Sequence, residues 1–483
     1  MVAIRFGTDG WRGIIARDFT YDNVSLCAQG VATYLYHEGI AEKGLVVGYD
    51  TRFASEEFAA RVTEVMAGNG IVTFLSNRVA PTPVVSYNIL HHKAAGAAII
   101  TASHNPAAWN GFKFKPDYAG SASPEITARL EREIEKAETD GVFSLPISRA
   151  RDEGLVQDID PMPPYLEQVA RLVDLEAISR AGLSVVVDAM YGAGAGYLPT
   201  LLDTAKQGRD TAYRAPTSVL EIHGERNPAF PGMERPEPIA HNLSVLSHLV
   251  VERSADVGIA FDGDADRVGI IDEKGTFFTT LQTFALLALY LLEEKGERGA
   301  LVKSLTSTSM VYRLGELYGV PVFETPVGFK YICPIMLREN ALMGGEESGG
   351  YGFRGHIPER DGILSGLIML EYMARTGKRP SELMERLFSL VGPHYYNRRD
   401  ISFPPEDRER LRSKLESGEL GEVAGTPVIA TDSIDGRRYI FPGNAWLLVR
   451  FSGTEPLLRI YAEAESLATV EELLDGAQAF LGI

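Results

Sequence analysis

The chain has 483 residues and a mass of 52.8 kDa, three to four times a domain of roughly 150 residues, which excludes a single small binding module. Apolar residues make up 45% and charged residues 23%, a globular balance that buries a large core without staples and argues against disorder. The formal charge of −18 has the wrong sign for nonspecific binding to nucleic acid or to an anionic membrane.

Taken in chain order, apolar and β-branched runs head three segments, and each segment closes on a second apolar run with a polar loop. The first head is LVVGYDTR from Leu45, followed by a helix-like stretch from Ser55 to Asn69, a middle run from Ile71 to Leu75 and the close AGAAIITASHNP at Pro106. A proline-containing stretch, GLVQDIDPMPPYL around Asp160, reads as a linker. The second head, LSVVVDAMYGAG from Leu183, closes with VGIAFDGDADR at Arg267. The longest uninterrupted apolar run, Phe284 to Leu292, has nine residues and is too short to span a membrane. The third head, ALVKSLTSTSM from Ala300, has a middle run from Val320 to Phe323 and closes with ALMGGEESGG at Gly350. Strands alternating with helical patterns predict α/β layers with mostly parallel strands, each presenting a loop at a strand's carboxyl end. A second linker is expected at LVGPHYYNRRD around Pro393. Beyond it, PVIATDSIDG, RRYIFP, AWLLVRF and LLRIYAEAES read as short strands of a small α+β domain, and TVEE predicts a final helix from near Thr469. The expected domains are therefore 1–155, 156–275, 276–390 and 391–483.

Cys27 and Cys333 are the only cysteines, too few for a disulfide framework or a four-cysteine zinc site, and they suit a reducing cytoplasm. The opening MVAIRFGTDG lacks the apolar core of a signal peptide, so a cytoplasmic protein with no membrane contact is expected.

Four loops could carry chemistry. TASHNP, Thr101 to Pro106, sets the Ser103 hydroxyl in a tight turn after a buried strand. It does not match the GxSxG elbow, and strand-end serines are commonly caps. His104 is grouped with Ser103 as its neighbour, although adjacency does not make it a base. Lys113 in NGFK offers a cation for a phosphate or a proton. DGDADR, Asp262 to Arg267, is the sharpest signal: alternate carboxylates aim three hard oxygen ligands at one cation, and without one they repel. Glu273 falls at the twelfth position of an EF-hand count, but Arg267 replaces the glycine required at the sixth. Mg²⁺ is the expected ion. GGEESGG, Gly344 to Gly350, brings Glu346 and Ser348 together as a plausible grip for vicinal sugar hydroxyls, against the alternative of a plain glycine-rich turn. RFSGTEP, Arg450 to Pro456, assembles Arg450, Ser452, Gly453 and Thr454 as a phosphate-sized donor set, against that of a hairpin turn. Together these are the parts for moving phosphoryl groups on a sugar.

GTDGWRG near the start, TASHNPAAWNGFK, DGDADR, GEESGG and RFSGTEP, in this order over nearly the whole chain, resemble the signature loops of the α-D-phosphohexomutase superfamily. The resemblance implies three α/β domains with mixed sheets and a smaller C-terminal α+β domain around a central cleft. It makes Ser103 the phosphoserine, and Asp262, Asp264 and Asp266, with an oxygen on Ser103, the holders of Mg²⁺. Arg12 and Lys113 would flank the reacting hydroxyl, Arg267 and Lys303 would face the substrate, Glu346 and Ser348 would grip the sugar, and Arg450, Ser452, Gly453 and Thr454 would clamp the non-reacting phosphate. Relatives reading GEMSGH carry Met and His where this chain has Glu347 and Gly350. ETPVGFK, with Gly328 and Lys330, and HIPERDG, with His356 and Arg360, look like the phosphoglucomutase branch, which makes Gly328 a substrate-binding candidate and His356, Arg360 and Lys330 candidates for substrate-side positive charge, favouring glucose over mannose or glucosamine. The implied activity is interconversion of glucose 1-phosphate and glucose 6-phosphate through a glucose 1,6-bisphosphate intermediate. Phosphomannomutase is the nearest alternative; a sugar phosphatase and a non-catalytic sugar-phosphate sensor are the others.

Overall fold

Strands buried along both faces set the architecture: Leu45–Tyr49, Gly96–Ile100 and Val257–Phe261 have every residue buried, as parallel strands covered by helices on both sides must. The structure is a computed structural model that describes residues 4–7, 9–204, 216–417, 420–423, 425–451 and 457–483.

The first sheet comprises β1 (Trp11–Ile14), β2 (Leu45–Tyr49), β3 (Thr73–Ser76), β4 (Gly96–Ile100), β5 (Trp109–Pro116) and β6 (Val156–Ile159), in the order β1-β5-β4-β2-β3-β6. The second comprises β7 (Ser184–Asp188), β8 (Ser218–Ile222), β9 (Val257–Phe261), β10 (Val268–Asp272) and β11 (Phe277–Phe278), in the order β11-β10-β9-β7-β8. The third comprises β12 (Leu301–Ser304), β13 (Val322–Thr325), β14 (Met343–Gly345) and β15 (Tyr351–Phe353), in the order β13-β12-β14-β15. All three are mixed. In each, a parallel strand turns back into an antiparallel one: β4 into β5, β9 into β10, and β14 into β15. The three polar loops singled out from the sequence occupy this one slot.

The last sheet, β16 (Tyr395–Ser402), β19 (Ala430–Asp432), β20 (Arg437–Ile440), β21 (Trp446–Phe451) and β22 (Leu457–Ala464), is antiparallel in the order β16-β22-β21-β20-β19, and the short pair β17 (Glu422–Val423) and β18 (Thr426–Pro427) stands apart from it.

Several expected edges shift. Val156–Ile159 pairs in parallel with β3, so the first sheet runs past residue 155 and the first expected linker is partly strand. Phe277–Phe278 pairs with β10, which carries the second sheet past 275. The second expected linker contributes β16. The final helix is Leu467–Leu481, with Ser466 as N-cap accepting from the Thr469 amide, so the cap lies three residues before the expected start.

One continuous apolar cluster runs from Val46 and Ile99 through Val187, Ile259 and Phe284 to Leu364 and Leu387, which joins the first three sheets. The C-terminal sheet has its own core of Leu447, Ile460, Leu474 and neighbours. It meets the third sheet through a small patch of Leu305, Trp446, Leu448 and Tyr461. Phe284 to Leu292 is a buried core segment, and no helix among the described residues is long and apolar enough to cross a membrane. Both cysteines are buried and free.

Candidate active site

The serine loop is bent around Arg52. This residue follows β2, is wholly buried, and pairs with Asp50 at 3.3 Å. Its Nη1 donates to the carbonyls of Pro106 and Trp109 at 2.9 Å, and its Nη2 to those of Ser103 at 2.6 Å and Asn105 at 2.5 Å. Phe230 of the second segment packs on the guanidinium, 5.1 Å from ring centroid to Cζ. So held, Ser103 sits at φ +52°, a left-handed conformation that costs a side-chain-bearing residue about 1–2 kcal/mol. Its amide donates to Thr101 Oγ1 at 2.8 Å.

The hydroxyl reaches the second sheet's loop, where Ser103 Oγ donates to Asp262 Oδ2 at 2.8 Å. The backbones also meet, because a Cβ on Gly263 would stand 2.4 Å from the Ser103 carbonyl oxygen, so this position needs glycine. Asp262, Asp264 and Asp266 are fully buried and offer ligand oxygens within 4.8 Å of one another. Asp264 Oδ2 is engaged by Thr82 Oγ1 at 2.5 Å and by Lys113 Nζ at 2.8 Å. Asp264 Oδ1 and Asp266 Oδ1 are buried without a hydrogen-bond partner. Free, dry carboxylate oxygens converging beside a hydroxyl are the donor set of a hard divalent cation. Burial, and then the charges of Asp264 and Asp266, push the Asp262 carboxyl well above the usual range; a cation would reverse that penalty.

Cations ring this cluster. Lys113 Nζ lies 2.9 Å from Asp9, 2.8 Å from Asp264 and 3.3 Å from Asp266. Burial opposes its charge, yet Asp264, Asp9 and Asp266 outweigh it and raise its pKa above the ordinary lysine value. The Arg12 guanidinium donates to Asn105 of the serine loop at 2.6 Å; burial and then the like charge of Arg267 weaken its hold on its proton. The Arg267 amide donates to Asp262 at 3.2 Å and its guanidinium to Glu237 at 3.0 Å. His104 Nδ1 is 3.3 Å from Ser103 Oγ, and burial followed by Arg267 and Arg12 drives its pKa well below the usual value, so the ring is neutral.

The third sheet's loop joins through Arg360, which reaches Asp266 at 2.9 Å, Asp9 at 2.6 Å and Glu346 at 3.6 Å. Burial raises the Glu346 pKa against the pull of Arg360 and Arg267. A Cβ on Gly350 would meet the Arg360 Cδ at 2.4 Å, so Arg360 fills the space beside Gly350. Ser348 is half-buried in the same loop.

Other expected residues sit further out. Lys303 pairs with Glu324 at 2.8 Å, which also binds Arg438 of the last sheet. Lys330 donates to the Gly7 carbonyl at 3.3 Å, and Gly328 precedes the helix Phe329–Glu339 with φ +127°. His356, expected as a substrate-side cation, has a fully buried side chain, 2.9 Å from Asp361 and between Tyr87 and Tyr165; it braces the start of the helix Gly362–Thr376, which Asp361 caps. Arg450 binds Asp435 at 2.9 Å. Ser452, Gly453 and Thr454 lie outside the described residues. Sequence reasoning missed Arg52, Thr82 and Asp9 as site residues. For Arg52 a signal existed, the Asp-Thr-Arg that ends the first head.

Comparison with known proteins agrees with this geometry. Models of the phosphoglucomutase/phosphomannomutase family match throughout: α/β/α domain I over residues 3–140, domain II over 163–275, domain III over 281–391, and the C-terminal domain over 411–477. A phosphoglucomutase/phosphomannomutase of Thermococcus kodakarensis is 34% identical, covering 97% of this chain and 96% of its own. A phosphoglucosamine mutase of Carboxydothermus hydrogenoformans is 31% identical over 97% of each. A crystal structure provisionally assigned as a phosphomannomutase of Thermus thermophilus superposes with a TM-score of 0.84 at 35% identity, covering 100% of both chains. With loops of three sheets meeting at one serine and one acidic cluster, and with this likeness along its whole length, the chain belongs to the phosphoglucomutase/phosphomannomutase family of the α-D-phosphohexomutase superfamily, enzymes that transfer phosphate intramolecularly on hexose phosphates.

Proposed function

We propose that the protein is a phosphoglucomutase that interconverts glucose 1-phosphate and glucose 6-phosphate, with Ser103 as the phosphoryl carrier. The observation that carries this reading is the 2.8 Å contact from Ser103 Oγ to Asp262 beside unengaged oxygens on Asp264 and Asp266. A Mg²⁺ ion held by these three carboxylates and an oxygen on Ser103 would offset the charge of the phosphoryl group in transfer.

In the forward step the Oγ–P bond of phosphorylated Ser103 breaks as a bond forms from phosphorus to the free hydroxyl oxygen of the sugar phosphate; the hydroxyl's proton ends on the released Ser103 Oγ, and the sugar leaves the step as the 1,6-bisphosphate. The bisphosphate turns over in the cleft, and its other phosphate returns to Ser103. Lys113, held charged by three carboxylates, serves as a fixed cation at the transfer point, with Arg12 and Arg267 beside it. Glu346 and Ser348 grip the sugar hydroxyls, and Arg450 with Ser452, Gly453 and Thr454 holds the phosphate that does not react.

A coupled assay with Mg²⁺ and a trace of glucose 1,6-bisphosphate tests this: the monophosphates interconvert, or the mutase reading is lost. Release of inorganic phosphate instead would make the protein a phosphatase, and binding without phosphorylation, read by intact mass, a sensor. The Carboxydothermus relative, a phosphoglucosamine mutase covering 97% of each chain, favours an amino-sugar as the second reading. Rates on glucose, mannose and glucosamine 1-phosphates separate these.

A further inference from the structure

Behind the ring of cations lies a second, drier layer of charge. Lys113 and Lys115 alternate along β5 and so leave the strand on one face. Lys113 meets the acidic cluster, while Lys115 Nζ lies 2.6 Å from Asp9 Oδ1 and 2.5 Å from Glu359 Oε2. Lys115 and Glu359 are wholly buried; one belongs to the first sheet, and the other precedes the helix Gly362–Thr376. Among the described residues the Glu359 carboxylate bonds neither the acidic cluster nor the sugar loop, and the transfer step leaves it without a part.

Each oxygen of that carboxylate takes two donors. Oε1 accepts from the Arg360 amide at 3.0 Å and from Arg360 Nε at 3.1 Å; Oε2 accepts from Lys115 Nζ and from Ser121 Oγ at 2.8 Å. Burial opposes this charge, yet Lys115 and then Arg360 outweigh it and hold the carboxyl below its usual range, so both oxygens act as acceptors. The Arg360 guanidinium is thereby fixed along one edge. Its Nε is taken by Glu359 and its Nη2 by Asp9 Oδ2 at 2.6 Å, whereas Nη1 makes no hydrogen bond among the described residues and stands 3.6 Å from Glu346 Oε2, beyond hydrogen-bond reach. A planar guanidinium held at two of its three nitrogens has its third direction set.

On the strength of the mutase reading, we propose that Glu359 is a positioning residue that, seated on Lys115, turns Arg360 so that its Nη1 donor faces the hexose phosphate gripped by Glu346. Lys115 keeps the carboxylate charged, and Asp9 completes the hold. The four donors explain why a carboxylate stands here: an isosteric glutamine has one acceptor oxygen, so either Arg360 or Lys115 with Ser121 would face an amide NH₂.

The test uses the full chain carrying Ser103→Ala, which removes the proposed phosphoryl carrier, and calorimetric Kd values for glucose 1-phosphate with Mg²⁺. Glu359→Gln should weaken binding roughly tenfold, the scale of one hydrogen bond to a charged group. Arg360→Ala should weaken it at least as much, and the double variant should fall no more than about twofold below Arg360→Ala, because Glu359 acts through that side chain. Additive losses, the mark of a merely structural residue, or an unchanged Kd in Glu359→Gln would overturn the positioning role alone. Should Glu359→Gln not fold, Glu359→Asp, which keeps the charge and draws the oxygens back from Arg360, carries the same cycle with the same expected coupling. A parent that binds no hexose phosphate would defeat the substrate reading itself, and the inference with it.

Discussion

The Arg360 side chain stands where a side chain on residue 350 would go: a Cβ built on Gly350 lies 2.4 Å from Arg360 Cδ and 2.7 Å from its Cγ. The same arginine bridges Asp266, Asp9 and Glu346, so one guanidinium fixes the metal-type loop against the sugar loop. Here the space beside residue 350 is taken by a cation from ten residues further on. Gly350→Ala should therefore lower kcat/KM by roughly tenfold by displacing Arg360, and should add little in an Arg360→Ala background. Steady-state kinetics on the four proteins checks it; additive losses would show that the two positions do not compete.

Arg52 spends its Nη donors on four backbone carbonyls of the serine loop and its charge on Asp50. Arg52→Met leaves Asp50 buried without its cation, a change that costs about 3–5 kcal/mol. Denaturant unfolding should show a loss of this size, and Arg52→Lys should recover only part, because an ammonium cannot span four acceptors in a plane. Wild-type stability in Arg52→Met would refute the role assigned to the guanidinium.

Thr82 and Lys113 both hold Asp264 Oδ2, leaving Oδ1 free. Thr82→Val keeps the shape and removes the hydroxyl. The metal concentration for half-maximal activity should rise roughly tenfold, the usual effect of removing a group that orients a ligand. An unchanged Mg²⁺ titration would count against Asp264 as a ligand.

His223 Nδ1 lies 2.9 Å from Asp188 Oδ1, and this hydrogen bond raises the imidazole pKa above its usual 6.5. A raised folded-state pKa contributes stability that is fully present below the unfolded value and fades as pH climbs through the folded one. The Tm gap between wild type and His223→Asn should thus be widest below about pH 6.5 and narrow on the alkaline side. Asparagine tolerates the left-handed backbone at this residue, φ +49°, so the comparison isolates the ring. A gap that widens with pH would contradict the pairing.

Ser103→Ala removes the proposed carrier and should reduce turnover at least ~1000-fold, the scale of losing a covalent nucleophile, while intact-mass analysis shows no phosphoryl adduct after exposure to glucose 1,6-bisphosphate. Retained turnover would move the carrier elsewhere.

The features that sequence made legible were local. Alternating carboxylates in DGDADR, and a serine between a buried strand and a polar turn, announce their chemistry within six residues. What escaped depends on distant partners. Thr82 meets Asp264 across 182 positions, and Asp9 meets Arg360 across 351; Thr82 leaves no pattern in its own neighbourhood, and GTDGWRG, which contains Asp9, does not tell what that carboxylate meets. His356 read as a cation from its motif, but the cage of Tyr87, Tyr165 and Asp361 that encloses it is built from other segments. Sheet edges slipped for a related reason: β6 and β11 are short strands recruited by pairing, and only the neighbour's hydrogen bonds define them.

Arg52 grips carbonyl oxygens and leaves the seryl oxygen untouched. The contacts that curve that turn do not involve the hydroxyl, so loading or unloading a phosphoryl group on Ser103, in the proposed cycle, would alter local charge without removing any of them. A carrier cycling in that way would start each round from the same template.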